Sequence, residues 1–476
     1  MVATSPIEPQ NPTQTSGQRY LVSSDLPLAE RSPNQELLPL TAKLNGRDRL
    51  EIGGCDVTEL VERYGSPLYI LDELSLRTAC RHYRDALAKH YPGESLAVFA
   101  SKAWSCQAVA AIVASEGLGT DVVSGCELQT SLTAGVSADR IVFHGNNKSR
   151  RELEQAIAAG VTVIVDNWLE LETLAKLAGD RADRDRPLPV MVRFTPGIEC
   201  HTHEYIQTGH IDSKFGFDPD GMRAVFEFLS KTASLACIGL HAHIGSQIFE
   251  TQPHVDLPQV MVGWLQLARE FDLPVNTINV GGGLGIRYTE ADDPPSIDAW
   301  IETVAKSMKT ACERAGLTEL PRLMCEPGRS LIGSACVTAY TVGSQKTVPG
   351  LSHYITVDGG MSDNPRPITY QSLYRAVVAN KMTAEATQAV TVAGKHCESG
   401  DVVIKEAALP DTEPGDILVV MGTGAYNYSM ASNYNRIARP AAVLVEGGEA
   451  NVIIARETDE DLMRFDRLPA RLTSAR

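Results

Sequence analysis

The stretch Leu96-Ala97-Val98-Phe99-Ala100-Ser101-Lys102-Ala103 is an apolar run followed by a serine, a lysine and an alanine. An apolar run of this length reads as a buried strand, which puts Lys102 where the strand leaves a core. An ammonium group at such a place has two readings. It can snorkel into water along its own aliphatic stem. Alternatively, it can be partly desolvated, so that a neutral amine is present often enough to attack an aldehyde.

A rhythm begins at this stretch. Apolar strand candidates follow at Leu96–Ala100, Thr120–Val123, Ile141–Phe143, Thr162–Val165, Pro189–Phe194, Cys237–His241, Thr277–Val280 and Arg322–Cys325. Helical patterns at Cys106–Ser115, Arg151–Ala159, Leu169–Leu177, Gly221–Leu229, Val260–Phe271 and Ile297–Ala315 separate nearly all of them. This strand-then-helix alternation predicts an α/β fold, a (β/α)8 barrel of the TIM type. Past Ser334 the helices give way to short strands at Val337–Val342, His353–Val357, Ala389–Ala393, Ile417–Val420, Ala441–Val445 and Asn451–Arg456. That change predicts a C-terminal all-β domain of barrel or sandwich type. The expected division is a disordered tail over residues 1–40, strands over 41–72 that join the β domain, the barrel over 73–334 and the β domain over 335–476.

Composition narrows the function. A chain of 476 residues, 43% hydrophobic and 21% charged, is too long for one ordinary core and has the balance of a globular protein. No apolar run reaches the ~18 residues that span a bilayer, so no membrane partner is expected. A net charge of −16 and a pI near 5.2 disfavour nucleic acid and leave small metabolites as ligands. The 10 cysteines are scattered with no C-x-x-C pair, which suits a reducing, cytoplasmic setting. The first residues are rich in Pro, Ser, Gln and Asn and lack the apolar core of a secretory signal, while an organellar targeting role for them stays open.

Barrel chemistry sits at the C-terminal ends of the strands, and four polar clusters fall there. Lys102 ends the first strand, His241-Ala-His-Ile-Gly-Ser-Gln247 the sixth, Gly281-Gly-Gly-Leu-Gly285 the seventh and Cys325-Glu-Pro-Gly-Arg329 the eighth. The glycine run admits an anion close to backbone amides, or is merely a turn. A dinucleotide fingerprint would need glycine where Ile286 stands. His241-x-His243 lacks a partner at metal-ligand spacing, so no metal is expected and a ring-stacking imidazole fits better. Glu326 needs a cation or a proton-bearing nitrogen to stay charged, either Arg329 or a protonated pyridine. A lysine, a stacking histidine, a phosphate cradle and this carboxylate together match the requirements of pyridoxal 5'-phosphate.

Further motifs carry a resemblance. They are Phe99-Ala-Ser-Lys-Ala103, Thr195-Pro-Gly-Ile-Glu-Cys-His-Thr-His-Glu204, Lys214-Phe-Gly216, Asp358-Gly-Gly-Met-Ser-Asp-Asn-Pro-Arg-Pro367 with Tyr370, His396-Cys-Glu-Ser-Gly-Asp401 and Gly424-Ala-Tyr426. With them the chain resembles the fold-type III pyridoxal-phosphate decarboxylases of the alanine-racemase-like class, and most closely the diaminopimelate decarboxylase family. The resemblance implies a lyase that converts meso-2,6-diaminopimelate to L-lysine and CO2, the last step of lysine biosynthesis. It makes Lys102 the Schiff-base lysine, His243 the ring-stacking residue and Glu326 the partner of the pyridine nitrogen. Ser246, Gly283, Gly328 and Tyr426 fall at phosphate-binding positions, with Pro327 beside them in the cofactor motif. Arg329, Arg366, Tyr370, Glu398 and Tyr426 fall at substrate positions, and Cys397 at that of the acid that protonates the product carbon. The family's Cys397 and Glu398 positions reach the site from a second subunit, which implies a homodimer with shared active sites. Ornithine and arginine decarboxylases share the lysine and histidine motifs and are the rival reading. A non-catalytic homologue and a metal-dependent hydrolase are more distant ones.

Overall fold

The computed structural model describes residues 16–21, 27, 30–181, 186–198 and 213–473. Eight parallel strands close into a barrel: Ser95–Ala100, Gly119–Val122, Ile141–Phe143, Thr162–Val165, Leu188–Arg193, Leu235–His241, Thr277–Asn279 and Arg322–Cys325. The last pairs with the first through Leu323↔Ser95 and Met324↔Leu96. Each falls within a residue or two of its predicted position.

Alternation along the strands builds the interior. Leu96, Val98, Val142, Ile164, Met191 and Met324 form one small buried cluster. Ala97, Phe99, Phe143, Val163, Val165, Val190, Val192 and Cys325 belong instead to the large core shared with the surrounding helices. The helix Gly125–Thr133 was not predicted, because Gly-Cys-Glu-Leu-Gln-Thr-Ser-Leu-Thr is rich in poor helix formers. Ser124 caps it by accepting from the Glu127 N–H at 3.2 Å. Only the four-residue turn Arg329–Ile332 follows the eighth strand. The helix Glu73–His90 precedes the first strand, packs against both that turn and Ile297–Arg314, and completes the outer ring.

Beyond the barrel, nine strands form an all-β sheet around Cys336–Val348. Leu68–Asp72 enters this sheet as expected, antiparallel to Cys336–Val348 and parallel to Ala441–Glu446. It is buried on both faces: Leu68 and Ile70 face one core, Tyr69 and Leu71 the other. Leu50–Ile52 does not enter it. That strand pairs with Lys43–Leu44 and Cys55–Asp56 in a separate three-stranded sheet, which packs Leu50 and Ile52 into one core with Val337, Ala339 and Val443 of the β domain. Val402–Leu409 was also unpredicted, since its Lys-Glu-Ala-Ala reads as helix and its edge position leaves Lys405 and Glu406 in water.

The expected disordered tail also needs correction over its described part. Ser16 pairs with Glu385, and Tyr20 donates to Glu290 Oε1 at 2.8 Å. Pro33–Gln35 is a 3-10 turn, with Asn34 and Leu38 fully buried. Polar composition misled there because these side chains find specific partners inside the fold. Residues 1–15 lie outside the described residues.

The helix Gln252–Glu270 buries His254 edge-on to Trp300, ring centroids 5.3 Å apart, and burial pushes the imidazole down to about 4. Folded protein therefore stays unprotonated there while unfolded chain takes up a proton below about pH 6.5. Stability should fall as pH drops from 6.5 to 4, by up to about 1.4 kcal/mol per pH unit from this one group. His254→Gln should remove about one proton from the pH slope of the urea midpoint in that window.

Candidate active site

The strand period that lays the apolar layer also sets the chemistry. The residues two positions beyond Val98, Gly119, Val142, Met191, Gly239 and Met324 are Ala100, Asp121, His144, Arg193, His241 and Glu326. All six line one cavity of about 490 Å³ at the C-terminal end of the barrel. Lys102 joins them from the 3-10 turn Ser101–Ala103 that ends the first strand. That turn is tied to the β domain, because Ala103 O accepts from the Tyr426 N–H at 2.8 Å and from Ser429 Oγ at 3.2 Å. The lysine is exposed towards the cavity rather than sealed in the core.

Glu326 is buried and accepts three side-chain hydrogen bonds. His144 Nε2–H and Asn279 Nδ2–H donate to Oε1 at 2.7 Å each, and His241 Nε2–H donates to Oε2 at 3.1 Å. Burial alone would raise its carboxyl, but His144 and His241 outweigh it and hold the group well below the usual carboxylate range. Burial pushes His241 itself down to about 4, so its Nε2 donates as a neutral imidazole. Arg329, the nearest charged residue in sequence, is not the partner. Its Nε and Nη2 donate to Ser246 Oγ at 3.2 and 3.0 Å, and its Nη1 donates to the Tyr288 hydroxyl at 2.7 Å.

His243 is set apart from His241. Its Nδ1 accepts from the Gly282 N–H at 3.2 Å, which leaves the proton of the neutral ring on Nε2. Burial, aided by the charges of Lys102 and Arg193, lowers its pKa well below the ordinary value. The neighbouring Gly281 has φ +67, and a Cβ there would stand 2.7 Å from His243 Nδ1. Glycine is therefore what lets the seventh-strand loop fix this ring.

Gly283 has φ +130 and would drive a Cβ to 3.0 Å from His254 and 3.1 Å from Ile248. Its backbone, Ser246, Gly328 and Tyr426 line the same cavity. Arg329 and Arg366 are both buried and stand 4.9 and 5.6 Å from the Tyr426 ring centre. Arg366 also stands 4.8 Å over Tyr370. Neither guanidinium meets a carboxylate among the described residues, and Arg366 Nε has no partner.

Ten of the predicted site residues thus surround one cavity: Lys102, His243, Ser246, Gly283, Glu326, Gly328, Arg329, Arg366, Tyr370 and Tyr426. Pro327 does not line it. Its carbonyl accepts from the Ala100 N–H at 3.0 Å, which joins the eighth strand's end to the first. Cys397 and Glu398 do not line it either, and both are exposed on a turn of the β domain. That turn is built around Asp401, whose Oδ2 accepts from His396 Nδ1 at 2.7 Å and whose Oδ1 accepts from the Met361 N–H at 2.7 Å. Most of the motif Thr195–Glu204, His201 and His203 included, lies in residues 199–212, outside the described residues. Sequence reasoning missed Asp121, His144, Arg193 and Asn279, although the period of two already pointed the first three inward.

Residues 74–333 match the family model of the pyridoxal-dependent decarboxylase, pyridoxal binding domain. The chain is 60% identical over 471 residues to the diaminopimelate decarboxylase of Synechocystis, covering 97% of this chain and 99% of that one. It is 45% identical to the Bacillus subtilis enzyme of the same name, covering 90% and 97%. The crystal structure of diaminopimelate decarboxylase from M. jannaschii in complex with L-lysine superposes with a TM-score of 0.84 at 30% identity, covering 93% of this chain and all of that one. The chain belongs to the diaminopimelate decarboxylase family of pyridoxal-dependent enzymes.

Proposed function

We propose that this protein decarboxylates meso-2,6-diaminopimelate to L-lysine and CO2 with pyridoxal 5'-phosphate, in the last step of lysine synthesis. The observation that carries the reading is the pair of buried guanidiniums, Arg329 and Arg366, that face one cavity without a carboxylate to balance them. Buried cations of this kind call for an anionic ligand, and a phosphorylated cofactor with a dicarboxylic substrate supplies two.

The residues fit the cofactor. A carboxylate offers about four acceptor positions, and three on Glu326 are taken by His144, Asn279 and His241. The remaining one suits the N–H of a protonated pyridine. His243 presents a ring of fixed orientation, and Gly283 leaves backbone open to phosphate oxygens beside the Ser246 hydroxyl. When bound, the cofactor supplies an electron sink for the pair released by the departing carboxylate.

Lys102 would hold the cofactor through its aldehyde. The residues that grip the far end of the substrate would set which of its bonds is aligned to break. Arg329 and Arg366, as planar donor forks, hold the carboxylate that stays, and Tyr370 supports Arg366 from below. Glu326, kept ionised, would hold a protonated ring nitrogen of the cofactor and favour its positive charge. Cys397 donates the proton that completes lysine, and Glu398 holds the distal ammonium. Because both stand on a β-domain turn that does not line this chain's own cavity, a second copy supplies them, and the working unit is a homodimer. The nine free cysteines among the described residues support a cytoplasmic location.

Purified enzyme supplied with meso-diaminopimelate should release CO2 and lysine in equal amounts; turnover of arginine or ornithine with none of diaminopimelate overturns the substrate assignment. Lys102→Ala should lose the visible absorbance of lysine-bound cofactor and at least about a thousandfold in turnover. Glu326→Gln should keep the cofactor while kcat falls by about a hundredfold, because a neutral amide no longer favours the protonated ring. Mixing inactive Lys102→Ala and Cys397→Ala subunits should restore about a quarter of wild-type activity, as random exchange leaves half the dimers with one intact site. No recovery after verified subunit exchange would rule out the shared site.

A further inference from the structure

The loop Gly281–Arg287 that carries the phosphate cradle has no regular structure apart from a single bridge, Leu284 to Ile248. Its shape must be imposed from outside. On one side Gln247 pairs with Ile286 in both directions, donating through Nε2 to the carbonyl at 2.7 Å and accepting the N–H at 3.1 Å. On the other side stands a segment about 250 residues earlier in the chain. Asn34, fully buried, donates through Nδ2 to Gly285 O at 3.2 Å and to Pro295 O at 2.9 Å. Its own carbonyl accepts from the Arg287 N–H at 2.9 Å.

The asparagine is itself held. Its Oδ1 accepts from Ser32 Oγ at 2.6 Å, and that hydroxyl in turn accepts from the Ile297 N–H at 3.0 Å. Ile297 opens the helix Ile297–Arg314, so Ser32 satisfies one of the donors every helix start leaves unpaired. Gln35 adds a bond to Pro294 O at 2.9 Å. The C-terminal half of the barrel loop, and the start of the helix after it, are thus clasped by one short N-terminal turn. A buried amide whose Nδ2 serves two carbonyls of a distant segment, with its Oδ1 satisfied locally by Ser32, fixes that segment's path.

We propose that Asn34 is a positioning residue for the cofactor, acting through Gly285 to hold the Gly283 backbone where the phosphate is bound. The inference rests on the assignment of Gly283 and Ser246 to the phosphate. Removing the Asn34 amide takes the donor from the carbonyls of Gly285 and Pro295 and loosens the clasp, leaving the backbone bond from the Arg287 N–H in place.

The test is cofactor release from holoenzyme, followed by loss of visible absorbance under dilution, together with fluorescence titration of the stripped protein with pyridoxal phosphate. Asn34→Ala should raise the cofactor Kd about tenfold or more, the scale on which supporting contacts behind a binding group act. At saturating cofactor its kcat should stay within about threefold of wild type, since no reacting atom is touched. An Asn34→Ala protein with a lowered urea midpoint but unchanged cofactor Kd would make the residue purely structural and overturn the proposal. Should that variant fail to fold, Ser32→Ala takes its place, with about a threefold faster release expected and an unchanged rate overturning the proposal. Ser246→Ala separates the two assignments. If it weakens cofactor binding while Asn34→Ala does not, the clasp alone fails; if neither does, the cradle assignment fails with it.

Discussion

A carboxylate kept charged in a dry place is the constraint around which the barrel is arranged. Glu326 sits where eight strands converge, and an ionised group there is tolerable only because His144, His241 and Asn279 all donate to it. Those three donors come from three different strand ends, so the barrel must close in register before any of them can reach it. The apolar layer of Leu96, Val98, Val142, Ile164, Met191 and Met324 secures that register, and the polar ring stands one strand period above it. Stability and chemistry therefore share the same strands, two residues apart.

The cavity divides its work between the two folds that border it. The barrel contributes Lys102, His243, the glycine cradle and Glu326, which suit a flat cofactor. The β domain contributes Arg366, Tyr370 and Tyr426, which suit the anionic ligand laid against it. Tyr426 joins the halves, since its N–H binds the carbonyl of Ala103, the residue after Lys102. The turn that carries Lys102 is thereby fixed from the domain that brings Arg366 and Tyr370 to the cavity.

Much of this was legible in the sequence, for reasons that differ by residue. The barrel strands stood out because parallel strands buried on both faces are short, uninterrupted apolar runs. Lys102, Glu326 and the glycine run were legible because each was anomalous for its place. His144 and Arg193 were not, because a single polar residue after an apolar strand looks like the start of any loop. Of the two partners offered for Glu326, the nearby Arg329 is not one, and the protein's own donors, which lie 47, 85 and 182 positions away, were not legible. The same long-range pairing hid the order of Ser32–Gln35, whose polar side chains are satisfied by a loop on the far side of the chain.

The strand Leu68–Asp72 lies in the middle of the β sheet, although it is made before the barrel begins. Both of its neighbours, Cys336–Val348 and Ala441–Glu446, leave the ribosome only after the last barrel strand. A growing chain therefore holds a largely apolar, unpaired strand while more than 260 residues are added behind it. That central position leaves the strand without either partner for most of synthesis, the stretch in which exposed strand edges are open to wrong pairing.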